Sequence, residues 1–284
     1  MTERLLKDCN ILLIGAGSIA KAMIRGLVAG HAVERERIFV TNRSRREQLL
    51  VLREMYGVQT VEDIWSEPHV IQAAQVVVLA VKPHDLLSVA AKLRPHLQEG
   101  TVLLSLAAGI GTQSMEAQVG PHIAVVRAMP NTACAVLASA TAVCYGRHCT
   151  ESSKDLASQV LSQLGEVSVV DEQEMDAVTG VSGSGPAYFY YMVEAMQLAA
   201  EGQGLSSEVA RRLILQTLFG AGKMMQETGL DACELRRQVT SPNGTTMAGL
   251  QVFEKAGFQN VMHDVVNAAT CRSREMGLEL SRTE

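Results

Sequence analysis

Between Asn10 and Val170 the chain alternates short apolar runs with longer amphipathic stretches. The runs Asn10–Ile14, Ile38–Thr41, Val76–Val81, Val102–Leu106, Ile123–Arg127 and Ala140–Tyr145 have the length and content of strands. Stretches with helical spacing lie between them, over Ser18–Ala29, Arg45–Tyr56, Asp85–Leu93 and Thr112–Gln118. Glu151–Leu164 follows as a helix and Glu166–Val170 as a last strand. Strands separated by helical segments of about ten residues predict right-handed βαβ crossovers and a parallel sheet. The run from Val76 to Val81 has no polar alternation, as a strand covered on both faces requires.

After Asp171 the strand pattern stops and helical spacing dominates. Pro186 suits the first turn of a helix running to about Glu201, with Ser184 as its expected cap. A second helix is expected from Ser206 or Ser207 to Met225, with Ala210, Leu213, Ile214, Thr217, Leu218 and Ala221 on its apolar stripe. Met224 and Met225 read as core or interface fillers. The first of these helices is apolar nearly all round, from Ala187, Tyr188 and Phe189 to Ala199 and Ala200. Either it is an internal core helix or a second subunit covers it, and the small size of the region favours the second subunit. The expected organisation is an α/β parallel-sheet domain over 1–171 and an all-α domain over 172–284.

Composition narrows the class. The 284 residues are 47% hydrophobic and 19% charged, which supports a packed core and excludes disorder. The net charge of -5, without a long Lys/Arg block, argues against a nucleic-acid footprint. No apolar run has membrane-spanning length, and the one beginning at Ile11 is too short for a signal peptide, so a cytoplasmic protein is expected. The six cysteines include no C-x-x-C pair. Cys144, His148 and Cys149 cluster, but no second ligand pair follows at zinc spacing, and no metal is expected.

Gly15-Ala16-Gly17-Ser18-Ile19-Ala20 follows a strand and opens a helix, which is the G-x-G-x-x-A form of the dinucleotide fingerprint. Gly15 permits the tight turn, Gly17 admits a pyrophosphate to the backbone, and Ala20 allows close helix–strand packing. The phosphates then meet the positive end of the helix. The first domain is thus expected to be of the Rossmann type. An enzyme using NAD places a carboxylate at the end of the second strand. Here that position reads Asn42-Arg43-Ser44-Arg45-Arg46, so Arg43 and its polar neighbours suit a 2′-phosphate. NADPH is the expected cofactor, with NADH as the weaker one. Ala80-Val81-Lys82-Pro83, Ala107-Ala108 and Met129-Pro130-Asn131 end later strands, where open α/β sheets bind ligands, and complete the expected cofactor contacts.

Two glycine-rich motifs in the helical part carry hydroxyls: Ser182-Gly183-Ser184-Gly185-Pro186-Ala187-Tyr188 and Thr240-Ser241-Pro242-Asn243-Gly244-Thr245-Thr246. Each would open a helix with unpaired N–H groups, a favourable place for a carboxylate. In these motifs, together with Arg127-Ala128-Met129-Pro130-Asn131-Thr132 and Asp176-Ala177-Val178-Thr179-Gly180, the sequence resembles the pyrroline-5-carboxylate reductase family over essentially its whole length. The resemblance implies a Rossmann domain followed by a helical dimerisation domain, in dimers that often assemble into decamers. It also implies an active site between the Rossmann domain of one subunit and helices of its partner. Hydride transfer to a cyclic imine carbon would give L-proline. Ser241, Gly244 and Thr245 match the loop that holds the substrate carboxylate. Thr246 matches the residue whose hydroxyl faces the ring nitrogen, and Asn243 and Ser182 complete the implied substrate contacts.

The family loop usually reads Pro-Gly-Gly, whereas this chain has Asn243; Asn tolerates positive φ, so the turn is expected to survive. The segment Val61-Glu62-Asp63-Ile64-Trp65-Ser66 lacks an Asn that the family often has near the adenosine. Trp65 reads as a packing residue near a helix start, His84 as a neighbour of the cofactor, and Arg272, Arg274 and Glu275 as a solvated face. Two other readings stay open: a reductase for a different imine ring, which Asn243 keeps alive, and a non-catalytic NADP-binding paralogue.

Overall fold

The computed structural model describes residues 4–44 and 46–282. After a single turn, α1 (Arg4–Lys7), come β1 (Ile11–Ile14), α2 (Ser18–Ala29), β2 (Ile38–Thr41), α3 (Arg46–Tyr56), β3 (Gln59–Val61), α4 (Pro68–Ala73), β4 (Val76–Leu79), α5 (Pro83–Leu93), β5 (Val102–Ser105), α6 (Thr112–Val119) and β6 (Ala124–Met129). Then follow β7 (Ser139–Tyr145), α7 (Glu151–Ser162), β8 (Gly165–Val169) and the short α8 (Met175–Val178). The remaining elements are helices: α9 (Gly185–Gly202), α10 (Ser207–Thr228), α11 (Ala232–Gln238), α12 (Thr245–Lys255) and α13 (Phe258–Arg282).

The eight strands form one sheet in the order β3-β2-β1-β4-β5-β6-β7-β8. The first six run parallel, as alternating strands and helices require. β7 pairs antiparallel with β6, so the expectation of a wholly parallel sheet is corrected there. Only a 3₁₀ turn at Thr132–Val136 joins them, too short for a crossover helix. All four residues of β1, β4 and β5 are buried. Successive side chains serve opposite faces. Leu13, Val78 and Leu104 pack with Met23, Ile24 and Leu27 of α2 and with Val160 and Leu161 of α7. Leu12, Val77 and Leu103 pack with Leu86, Ala90 and Leu93 of α5. Gly26, the ninth of the twelve residues of α2, lies against the Gln163 carbonyl beyond α7, where a Cβ would collide with that oxygen.

Compactness divides the chain into one unit of residues 1–184 with 268–284 and another of 185–267. In the first, Ser273 Oγ donates to Asp176 Oδ1 at 2.7 Å, which fastens the end of α13 to α8. The segment Thr179–Gly183 is a π-helix closed by the Ser184 N–H donating to the Thr179 carbonyl at 2.9 Å. Ser184 has helical backbone angles and is therefore not the expected extended cap of α9. Pro186 does lie in the first turn of that helix.

In the second unit α9 packs on α10, and the Ser206 side chain caps α10 by accepting from the Val209 N–H. Ala210 and Ile214 are buried, but Phe189, Tyr190, Tyr191, Met196 and Leu198 of α9 are exposed, Tyr191 to 73%. Within this unit, therefore, α9 is not an internal core helix. Met224 and Met225 are also exposed and are not core residues. Two further corrections concern the first unit. β3 was not expected, and Trp65, which does lie just before the start of α4, is 40% exposed in the turn between them instead of being a packing residue. The expected start of α3 at Arg45 lies outside the described residues. No described helix is long and apolar enough to cross a membrane.

Candidate active site

Register brings the cofactor motifs to one level. Ile14 pairs with Thr41 on one side and Leu79 on the other, so Gly15, Asn42 and Ala80 emerge together at the carboxyl ends of β1, β2 and β4. This is also where strand order reverses, between β1 and β4. The Gly15 N–H donates to the Thr41 carbonyl and the Ala80 N–H to the Ile14 carbonyl, both at 2.9 Å. Gly15 has φ +110°, and a Cβ there would run into the Ala80 carbonyl. Gly17 caps α2 with extended backbone, no side chain caps that end, and a Cβ on Gly17 would meet nothing within 4 Å. The first N–H groups of α2 thus face open space, which fits a phosphate.

A cleft of about 670 Å³ opens over this level. Its lining includes Gly15, Ala16, Gly17, Asn42, Arg43, Ser44, Ala80, Val81 and Lys82 of the expected cofactor contacts, and also His84. Asn42 Oδ1 accepts from the Ser44 N–H at 3.3 Å and shapes the turn that presents Arg43. Lys82 is extended before Pro83, which opens α5 at the cleft edge. Ser18, Ile19 and Pro83 do not line the cleft. Ala107, Ala108, Met129, Pro130 and Asn131 also fall outside the lining, because they follow β5 and β6 on the far side of the reversal point. The Asn131 side chain is already committed: Oδ1 accepts from the Ala133 N–H at 3.0 Å and Nδ2 donates to the Ser182 carbonyl at 3.2 Å. The Ser182 hydroxyl donates to the Val178 carbonyl at 3.2 Å.

Sequence reasoning placed the 61–66 segment near the adenosine only through the resemblance and named none of Glu62, Asp63 or Trp65 as a contact; it missed Asp85, Ser88 and Lys92 in this lining altogether. The absence of a carboxylate after β2 did not keep carboxylates from the cleft, since the β3–α4 turn and α5 supply three. Each has a partner: Glu62 lies 3.2 Å from Arg46, Asp85 lies 3.6 Å from Arg43, and Asp63 accepts from the Trp65 N–H and the Ser66 hydroxyl. Arg43 is 85% exposed, so its ion pair is weak and open to exchange for a phosphate.

The second motif forms a turn in its own unit. The Gly244 N–H donates to the Ser241 carbonyl at 3.1 Å across Pro242 and Asn243, and Asn243 adopts φ +59°. Pro followed by a left-handed residue is the signature of a type II turn. The first helical bond of α12 runs from the Ala248 N–H to the Gly244 carbonyl, and no side chain caps that end. The N–H groups of Thr245, Thr246 and Met247 therefore precede the intrahelical ladder, beside the exposed Ser241, Thr245 and Thr246 side chains. The Gly244 N–H is spent on the turn itself.

A charged cluster lies at the last row of the sheet, where Leu79 pairs with Ser105 and Ser105 with Arg127. Arg127 of β6 is 5% exposed and bonded to Glu172, which also accepts from the Thr112 N–H at 2.9 Å and the Thr112 hydroxyl at 2.8 Å. Burial pushes the Glu172 carboxyl up, but the Thr112 bonds and the Arg127 charge outweigh it and hold the group below the usual carboxylate range. Cys144 donates to the same carboxylate at 3.4 Å, and burial with the Glu172 charge pushes its thiol up to about 12. Cys149 Sγ donates to the Val125 carbonyl at 3.1 Å.

Comparison with known proteins settles the family. Pyrroline-5-carboxylate reductase 1 of Bacillus subtilis is 39% identical to this chain over 96% of it and 91% of the relative. The chain belongs to the pyrroline-5-carboxylate reductase family. A family model described as pyrroline-5-carboxylate reductase dimerisation matches residues 172–276, and one described as NADP oxidoreductase coenzyme F420-dependent matches 10–109. A pyrroline-5-carboxylate reductase structure from Coxiella burnetii superposes with a TM-score of 0.89 at 37% identity, covering 95% of this chain and 98% of that one. A pyrroline carboxylate reductase from Plasmodium falciparum, solved with NADP bound, gives 0.82 at 26% identity over 96% and 99%. The chain is thus an oxidoreductase of this family, with a parallel Rossmann-like sheet and a helical dimerisation region.

Proposed function

We propose that this protein reduces L-1-pyrroline-5-carboxylate to L-proline with NADPH. The observation that carries the reading is the intact turn at Ser241–Gly244, which keeps the start of α12 uncapped and ringed by hydroxyls despite Asn243. In this reading the N–H groups of Thr245 and its successors and the Ser241 hydroxyl hold the substrate carboxylate. Thr246 orients the ring nitrogen and bonds to its N–H. A protonated imine is already an electrophile, so these residues need only position it; no carboxylic acid or imidazole is required as a strong acid. The dinucleotide is held by the cleft at the ends of β1, β2 and β4, with its phosphates at the start of α2 and Arg43 on the 2′-phosphate. When bound, NADPH supplies the hydride that adds to the imine carbon. Ala107, Ala108 and Met129–Asn131 serve the nicotinamide side, and Asn131 acts there by fixing the Ser182 segment. The exposed apolar faces of α9 and α10 are covered by a second copy of the chain, so the working form is a dimer or a multiple of it, in the cytoplasm.

The assay follows loss of NADPH absorbance with pyrroline-5-carboxylate and with its six-membered analogue. Turnover of the five-membered ring is expected; turnover of the six-membered ring alone would reassign the substrate, and turnover of neither would leave a binding protein. Thr246→Ala should lower kcat about tenfold or more with NADPH affinity within twofold, the range for a lost positioning contact. Wild-type turnover in that variant would remove Thr246 from this role.

A further inference from the structure

The dinucleotide cleft contains a feature that the fingerprint does not require. Trp65, the chain's one tryptophan, lines it while remaining 40% exposed. Its backbone is fixed, since Asp63 Oδ1 accepts from the Trp65 N–H at 3.1 Å and Asp63 Oδ2 from the Ser66 hydroxyl at 2.6 Å. The Lys92 ammonium lies 5.9 Å from the indole centre, within cation–π range of the ring. Lys92 belongs to the stripe Asp85, Ser88, Val89, Lys92 that α5 turns toward the cleft at helical spacing. Much of the remaining lining here is charged: Arg43, Arg46, Glu62 and Asp85.

Topology says which part of a dinucleotide comes here. The glycine turn after β1 takes the pyrophosphate and the end of β2 takes the adenosine ribose, so the adenine lies over the β2–β3 side of the reversal point. The turn carrying Trp65 follows β3, on that side. We propose that the Trp65 indole is the stacking wall for the adenine ring, held in place by Lys92 as a positioning residue. Ile64 and Val89 supply apolar lining to the same cleft. A flat purine needs such a wall, and an exposed, pre-oriented aromatic side chain provides it with little loss of side-chain freedom. The inference rests on the reading of this cleft as the NADPH site.

A lone tryptophan makes the test direct. Adenosine 2′,5′-bisphosphate, which has no nicotinamide, is titrated into the full-length protein while tryptophan emission is read, and its binding is measured separately by calorimetry. Saturable quenching with the calorimetric Kd is expected. Trp65→Leu should raise the Kd for this compound and the KM for NADPH about tenfold at a kcat within twofold, and Trp65→Phe should recover most of the loss. Calorimetric binding without quenching, or an unchanged Kd in Trp65→Leu, would overturn the adenine wall and leave the reductase reading intact. Absence of calorimetric binding by both the bisphosphate and NADPH would overturn the reductase reading and the wall with it.

Discussion

Glu172→Gln isolates the charge that the buried cluster depends on. Gln keeps the shape and an acceptor for Thr112, but it leaves the guanidinium of Arg127, 5% exposed, without its counter-charge. Removing one partner of a fully buried pair costs about 3–5 kcal/mol. The Glu172 side chain is itself 38% exposed, so solvent screens part of the loss and about 2 kcal/mol is expected. For a unit of this size that lowers Tm by roughly 4–8 °C. The pH dependence has a definite sign. The folded carboxyl lies below the usual range, so the unfolded chain binds its proton more readily. The contribution is therefore complete above about pH 4.3, the usual Glu value, and is lost as pH falls from there through the folded value. Thermal unfolding by circular dichroism, at one protein concentration from pH 7 to pH 4, should show the full gap between wild type and variant at neutrality and a shrinking gap near pH 4. A gap below about 0.5 kcal/mol at pH 7, within the usual surface-substitution range, or one that widens on acidification, would refute this account of Glu172.

Three other changes probe the site. Gly15→Ala places a Cβ into the Ala80 carbonyl at φ +110° and should weaken NADPH binding at least about tenfold by calorimetry, as the strained turn shifts. Arg43→Ala should raise the NADPH KM about tenfold and leave NADH turnover unchanged, as loss of one charge-assisted phosphate contact predicts; equal loss with both cofactors would count against Arg43 as the 2′-phosphate ligand. Asn243→Val, at φ +59°, should cost about 1–2 kcal/mol in urea unfolding, whereas Asn243→Gly should stay within about 0.5 kcal/mol; equal stability of the two variants would show that this turn does not set the conformation of the loop.

How much of this the sequence disclosed depended on how each element buries its side chains. β1, β4 and β5 are covered on both faces, so they read as unbroken apolar runs. β3 is a three-residue edge strand, Gln-Thr-Val, and α4 has six residues, both too short to show a period. The direction of β7 leaves no mark on its own pattern, because a buried strand is apolar whichever way it runs. The readable signal was its link to β6, which has no room for a crossover helix. At the site, the glycine turn and the Asn42–Ser44 corner were legible because they continue directly from predicted strands. The 61–66 segment was placed near the adenosine only by the family resemblance; the contacts of Glu62, Trp65 and Lys92 themselves were not legible, because they reach the cleft from the turn after an unrecognised edge strand and from one face of α5. Asn243 was legible in principle, since its tolerance of left-handed backbone follows from residue chemistry alone.

The contact at Gly26 reaches further than its position suggests. Gly26 lies nine residues along α2 from the cap at Gly17, roughly 13 Å down the axis, and it seats the helix on the chain just beyond α7. A glycine inside a helix weakens it by about 1 kcal/mol relative to alanine, so the close seating has been kept at the expense of intrinsic helicity. The tip proposed to hold the phosphates is consequently aimed from its far end, like a lever set by its fulcrum. Changes in length or shape where α7 meets β8 would re-aim that tip and alter nucleotide affinity without altering any residue that touches the nucleotide.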